Sequence, residues 1–128
     1  MPTIQALGGD RLPNLAALSD AQAGNGASTN IVDRGAATER PALLTITTTV
    51  GATPTCTYAI EGSADGVAWF PVAYAETASP DIPTVATFDI TTAGTTHKIV
   101  RANEPWRYLR LTYSANTNVT NTADIWIF

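Results

Sequence analysis

The chain has one cysteine, one histidine and few charges, and each scarcity excludes something. Cys56 has no second cysteine to join, so an intramolecular disulfide is impossible, which fits synthesis in a reducing compartment. Any Ser-His-Asp arrangement would have to use His97. It lies between Thr96 and Lys98 in a strand-like run, with no nucleophile signature nearby, so an exposed strand histidine is the simpler reading. One Cys, one His and scattered carboxylates offer no metal-ligand spacing, and no metal or other cofactor is expected. Charged residues make up only 14% of the 128 residues, and the net charge is −4. A nucleic-acid binder needs a basic face to neutralise phosphates, so no nucleic-acid partner is expected. No apolar run approaches the roughly 20 residues that span a membrane, so no membrane partner is expected either. Met1 to Gly9 carries no positive charge and no apolar run, and is not expected to act as a signal peptide.

Thr, Ala, Ser, Asn and Gly fill the place of the missing charge. Threonine suits a pleated, half-buried surface, whereas Lys and Glu suit an exposed helix, so the composition favours an all-β protein. The clearest strand is Trp106-Arg107-Tyr108-Leu109-Arg110-Leu111-Thr112-Tyr113. Leu109, Leu111 and Tyr113 fall on one face; Tyr108, Arg110 and Thr112 fall on the other. Alternate side chains of a strand point to opposite faces, so this period of two predicts a core side and an open side. Pro105 bars the strand from extending backwards.

The remaining strands are read the same way. Residues 1–26 are rich in Pro and Gly and read as an extended arm. A helical turn over Leu12 to Leu18 is conceivable from the spacing of three, but is too short to stand alone. Ala27 to Asp33 is a short strand, and Leu43 to Val50 follows, with Leu44, Ile46, Thr48 and Val50 sharing a face. Gly51 to Pro54 is turn chemistry. Cys56 to Gly62 comes next, with Cys56, Tyr58 and Ile60 inward. Asp65-Gly66 predicts a tight hairpin, with Val67 to Tyr74 returning. Pro71 marks that strand as an edge or a bulge. Ala75 to Pro83 reads as loop, Thr84 to Ile90 and Thr96 to Arg101 as strands, Ser114 to Asn118 as a polar loop, and Val119 to Phe128 as the last strand. About eight strands with turn signals every ten or so residues predict one jelly-roll-like antiparallel β-sandwich over 27–128, behind the arm 1–26.

Nothing in the spacing marks a catalytic site. Glu61, Asp65, Asp81 and Asp89 show no acid–base pairing pattern. Gly24-Asn25-Gly26 is too short for a phosphate cradle. Asn118-Val119-Thr120 matches a glycosylation acceptor, a pattern frequent by chance. No enzymatic activity is expected. Trp69, Trp106 and Trp126 read as core or subunit interface; the alternative is a sugar-stacking platform on a carbohydrate-binding sandwich.

Two stretches carry a resemblance. They are Leu18-Ser19-Asp20-Ala21-Gln22-Ala23 with Ala27-Ser28-Thr29-Asn30-Ile31-Val32-Asp33-Arg34-Gly35-Ala36, and Trp106 to Tyr113 with the closing strand. In them the chain resembles the capsid cement (decoration) proteins of tailed bacteriophages. The resemblance implies a jelly-roll-like sandwich on the outer capsid surface of the virion, made in the bacterial host cytoplasm. It implies the major capsid protein as partner, bridged by dimers or trimers of this chain. Such a task needs a rigid domain and a docking surface and no active site. On exposure grounds the expected capsid or subunit contacts are Ile4, Leu7, Leu12, Leu15, Trp126 and Phe128, with Arg107 and Arg110 as polar rim. A phage tail adaptor is the neighbouring alternative.

Overall fold

A computed structural model describes residues 3–6, 14–35, 40–101 and 106–127, with backbone alone for 3–6 and Asn14. Every described element is a strand: β1 (Thr3–Ala6), β2 (Asn14–Ala23), β3 (Gly26–Ala27), β4 (Asn30–Asp33), β5 (Ala42–Ser63), β6 (Phe70–Pro71), β7 (Tyr74–Glu76), β8 (Ser79–Thr84), β9 (Phe88–Asp89), β10 (Gly94–Val100) and β11 (Tyr108–Ile127). Without the two-residue strands β3, β6 and β9, eight remain. The pairing is antiparallel except where β1 runs parallel to β4.

Two strands make the sandwich. β5 and β11, of 22 and 20 residues, pair along nearly their whole length. The ribbon they form bends sharply halfway. Residues 42–50 pair with 119–127, and 55–63 pair with 108–117. The first half, flanked by β2 on one side and by β10, β7 and β8 on the other, forms layer one. The second half, flanked by β4 and β3 on one side and by β6 and β9 on the other, forms layer two. The two bends therefore replace what reads in the sequence as a turn (Gly51 to Pro54) and a loop (Ser114 to Asn118). Turn chemistry is present there, but the chain changes direction without reversing.

The corner has a local cause. Thr53, Ala115 and Asn118 hold positive φ angles of 44°, 50° and 56°, a conformation that costs about 1–2 kcal/mol in an L-residue. The ladder of β11 shifts register on both sides of Thr117, and each shift inserts a bulge that sharpens the bend. Side chains hold the corner in place. Asn118 Nδ2 donates to the Ala52 carbonyl at 2.6 Å, and the Asn116 amide donates to Asn25 Oδ1 at 2.8 Å. Gly51 packs so tightly here that a Cβ would lie 3.2 Å from that of Asn118.

Parity survives the bend. Leu44, Ile46, Cys56, Tyr58 and Ile60 are all even-numbered and all buried; Leu109, Leu111, Tyr113, Val119, Ile125 and Ile127 are all odd and all buried. The ribbon folds over onto one of its own faces, which becomes the core. Burying each Leu or Ile there contributes about 1.5–3 kcal/mol. Tyr58 stacks on Phe88 with ring centroids 5.2 Å apart and meets Tyr113 edge-on at 5.5 Å. Its hydroxyl donates across the layers to Asn121 Oδ1 at 2.6 Å. The Ser19 and Tyr113 hydroxyls bridge the layers at 2.8 Å. These bonds satisfy polar groups that would otherwise be costly to bury. Burial pushes the Tyr113 phenol up to about 12 and raises the Tyr58 phenol and the Cys56 thiol as well.

Several other expectations change. Residues 14–23 of the expected arm form β2 and pair with β11, and Leu18 is buried in the core. The spacing of three puts Leu15 and Leu18 on opposite faces of a strand, Leu15 outward and Leu18 in the core, and not on one side of a helical turn. The chain after Ser63 does return, with Glu61 opposite Pro71 and Gly62 opposite Phe70, but across a wide loop. There only Gly66 among the central residues has a positive φ, and the Asp65 carboxylate accepts from the Val67 and Ala68 amides. β6 is an edge strand, as Pro71 requires. The expected loop over Ala75 to Pro83 contains most of a hairpin, β7–β8, whose second strand is exposed, and the expected strand over Thr84 to Ile90 keeps only Thr84, at the end of β8, and Phe88 and Asp89.

Candidate functional site

Folding the ribbon onto one face leaves two outward faces, which differ in chemistry. The outward face of layer two carries charge in neutral pairs. Arg107 grips the Asp33 carboxylate with two hydrogen bonds, 2.9 and 3.0 Å. That guanidinium holds the Asp33 carboxyl below its ordinary value. Arg110 pairs with Glu61 opposite it on β5 at 2.8 Å, and its guanidinium lies over the Trp69 ring at 4.1 Å. On the core side of the same layer, Trp106 packs against the core cluster and stacks on Phe70 with centroids 5.3 Å apart. It also covers Gly62, where a Cβ would come 2.3 Å from the indole. The buried Arg34 donates to the Trp106 carbonyl and ties it down.

The outward face of layer one is organised in rows across the strands. One row is apolar: Leu15 on β2 lies opposite Trp126 on β11, which lies opposite Leu43 on β5, which lies opposite Ile99 on β10. Leu15 is 52% exposed, and the other three are half-buried. Pro41, Leu43 and Ile99 line a shallow depression with no polar lining. The next row holds Ala17, Asp124, Thr45 and His97, with Thr45 Oγ1 3.1 Å from His97 Nδ1. Beyond it come Thr122, Thr47 and Thr95, then Thr120 and Thr49. Asp124 is half-buried, and among the described residues no cation pairs with it. Burial, and then the nearby Asp20 carboxylate, raise its carboxyl. On the other side of the apolar row lie Arg40 and Arg101, which pair with no described carboxylate; Arg101 donates to the Asp81 carbonyl at 3.4 Å.

The structure brings together two of the sequence-derived contact residues, Leu15 and Trp126, and adds Leu43 and Ile99 to them. Arg107 and Arg110 lie in the other layer. Ile4 is in β1 opposite Ile31. Leu7, Leu12 and Phe128 lie outside the described residues. Leu43 was visible in the sequence only as a residue on the outward side of its strand. Nothing local marked Ile99 as its neighbour, because the register between β5 and β10 is a long-range property. Trp126 is in layer one, the Trp69 ring faces Arg110 and the Trp106 ring faces Phe70, so the three tryptophans form no common platform. Among the described residues no group of three or more His, Cys, Asp or Glu is placed to hold a metal ion.

The Ser19-Asp20-Ala21-Gln22 phrase has a structural task. Ala21 has a φ of 49°, at a shift of register between β2 and β11. Gln22 Nε2 donates to the Ala27 carbonyl, and its Oε1 accepts from Ser19 and Thr29. Gln22 thus links β2 in layer one to the start of layer two.

No protein-family model matches the chain, and no curated protein matches it. Among solved structures, the SPBc2 prophage-derived protein YomS is similar. The TM-score is 0.60 at 7% identity, covering 89% of this chain and 91% of that one. At that identity the likeness is one of fold, and it extends over nearly the whole of both chains.

Proposed function

We propose that this chain is a structural protein of a tailed-phage particle, a cement or decoration protein that binds the outer surface of the head and reinforces contacts between major capsid proteins. The observation that carries the reading is the outward face of layer one, rich in threonine and crossed by the apolar row Leu15, Trp126, Leu43 and Ile99. An apolar row on an open sheet face favours docking over turnover, since a catalytic pocket is concave and gathers convergent polar groups. The fold shared with a prophage-derived protein supports a phage setting, as does the resemblance carried by the Ser19-Asp20-Ala21-Gln22 phrase and by the strand from Trp106 to Tyr113.

Physical chemistry explains why such a part is useful. A protein that binds only the assembled lattice stabilises it by linkage, because its binding free energy is lost when the lattice comes apart. Many modest contacts then act together through multivalency. The rigid ribbon core supplies a body that does not deform under load, and no bond-making step is required of it.

The test is the copy number of this chain relative to the major capsid protein, measured by quantitative mass spectrometry of purified particles. A ratio near one, or a simple fraction of it, supports the cement reading. A few copies per particle moves the chain to a tail or a vertex, the adaptor reading. Complete absence sinks both and puts the carbohydrate-binding module first, to be tested on a glycan array.

A further inference from the structure

We infer that the outward face of layer one is the contact between two copies of this chain, packed face to face about a two-fold axis. The inference rests on the reading above and assigns its docking face to a second copy, so that the pair meets the lattice through its other surfaces; it stands on three observations.

First, the face is a poor surface for permanent solvation. Apart from Asp124 and His97, its rows hold only apolar residues and threonine. Depletion of charge around an apolar centre is the compositional mark of an interface core.

Second, the charges at its margins are of opposite sign and lie on opposite sides of the apolar row. Asp124, with Asp20 beside it, borders one side. Arg101, two residues beyond Ile99, borders the other, with Arg40 next to Pro41. A face with a positive margin, an apolar centre and a negative margin complements itself. A two-fold axis in the interface, perpendicular to the line from Arg101 to Asp124, lays each arginine of one copy over the aspartate of the other. In an isologous contact residue i meets j and j meets i, so the two charge pairs form together.

Third, among the described residues no cation pairs with Asp124. It is a half-buried carboxylate beside another carboxylate, whereas Asp33 and Glu61, the partly buried carboxylates of layer two, each have an arginine on them. A guanidinium from a second copy supplies the missing counter-charge. The pair then offers two copies of every other surface, as a protein bridging neighbouring lattice subunits requires.

The experiment is sedimentation velocity of the purified full chain over a range of concentrations, with circular dichroism and urea unfolding to confirm that each variant is folded. The wild type is expected to be a dimer. Leu15→Glu, a change at an exposed site, shifts it to monomer. Arg101→Asp and Asp124→Arg each weaken the dimer by about tenfold or more, and the double variant Arg101→Asp/Asp124→Arg restores it to near wild-type affinity. Restoration by the swap demands that the two residues meet across copies, which a structural role of either would not produce. A wild type that stays monomeric at about 100 μM, far above the concentration a standard interface needs, overturns the inference. So do folded single variants that dimerise normally, or a double variant that stays monomeric. A chain that pairs in solution but is absent from particles keeps this inference and removes the cement reading. A monomeric chain found at high copy number in particles does the reverse.

Discussion

Asp33 and Asp124 belong to opposite layers of one sandwich, and their carboxyls are displaced in opposite directions. Asp33 is gripped by Arg107 and held low. Asp124 is half-buried near Asp20 and pushed high. The difference extends to the faces around them. Layer two neutralises its arginines with carboxylates of its own and packs Trp69, Phe70 and Trp106 against defined neighbours. Among the described residues, layer one leaves Leu15 exposed and Asp124, Arg40 and Arg101 in no ion pair. The face left incomplete in this way is the one inferred above to pair with a second copy.

The largest expected effect tests whether the aromatic end of layer two is as closed as it looks. Gly62→Ala drives a methyl group into Trp106, and overpacking of that kind costs about 3 kcal/mol. Urea unfolding that shows no loss would mean the indole moves aside freely, and the tryptophans regain their standing as a binding surface. Next comes the Arg110 pair. Glu61→Ala leaves a half-buried guanidinium with only the Trp69 ring beneath it, and should cost about 1 kcal/mol by the same measurement. An unchanged midpoint would place this pair with the many exposed ion pairs that contribute nothing.

The two aspartates give opposite signs. Asp33 has a lowered folded value, so it contributes stability that is present above the ordinary carboxyl range, near pH 4, and is lost as pH falls through the folded value. Asp33→Asn should therefore be less stable than wild type at neutral pH, with the gap closing in acid. Asp124 has a raised folded value, so stability is greatest below the unfolded value and falls as pH rises through the folded one. Asp124→Asn should be more stable than wild type at neutral pH, again with the gap closing in acid. The comparison belongs in dilute monomer, by thermal melts from pH 3 to 8. Equal signs for the two variants would dissolve the contrast between the faces. The smallest effect belongs to the open row. Leu15→Ser in dilute monomer should change stability by no more than about 0.5 kcal/mol, as for an ordinary surface site. A larger loss would mean that Leu15 supports the fold and not a partner.

The candidate site was legible only in part. The alternation of Leu109, Leu111 and Tyr113 was enough to name the core side of β11, and Cys56, Tyr58 and Ile60 did the same for β5. Leu15 and Trp126 could be singled out as large apolar residues needing something to cover them. Their adjacency could not, since they are more than a hundred residues apart and meet through the register of β2 on β11. The corner was misread for a related reason. Gly51 to Pro54 and Ser114 to Asn118 carry turn residues, and a positive φ at Thr53 or Asn118 serves a reversal and a bend equally well. Only the facing strand, bending at the same place, keeps the ladder continuous. Asp65-Gly66 shows the converse: a strong hairpin signal formed a wider loop because the Asp65 side chain captures the Val67 and Ala68 amides.

The sequence by itself determined which side of most of each long strand is buried, because side-chain direction alternates with every residue except where a bulge intervenes. It determined the all-β class through its threonine and its lack of charge. The tertiary structure alone decided that two strands run through four expected ones, that a ribbon folds onto its own face, and that Leu15, Trp126, Leu43 and Ile99 form one row. Those facts depend on register between strands distant in the chain, and register is set by the packing of the whole core, which no local stretch encodes.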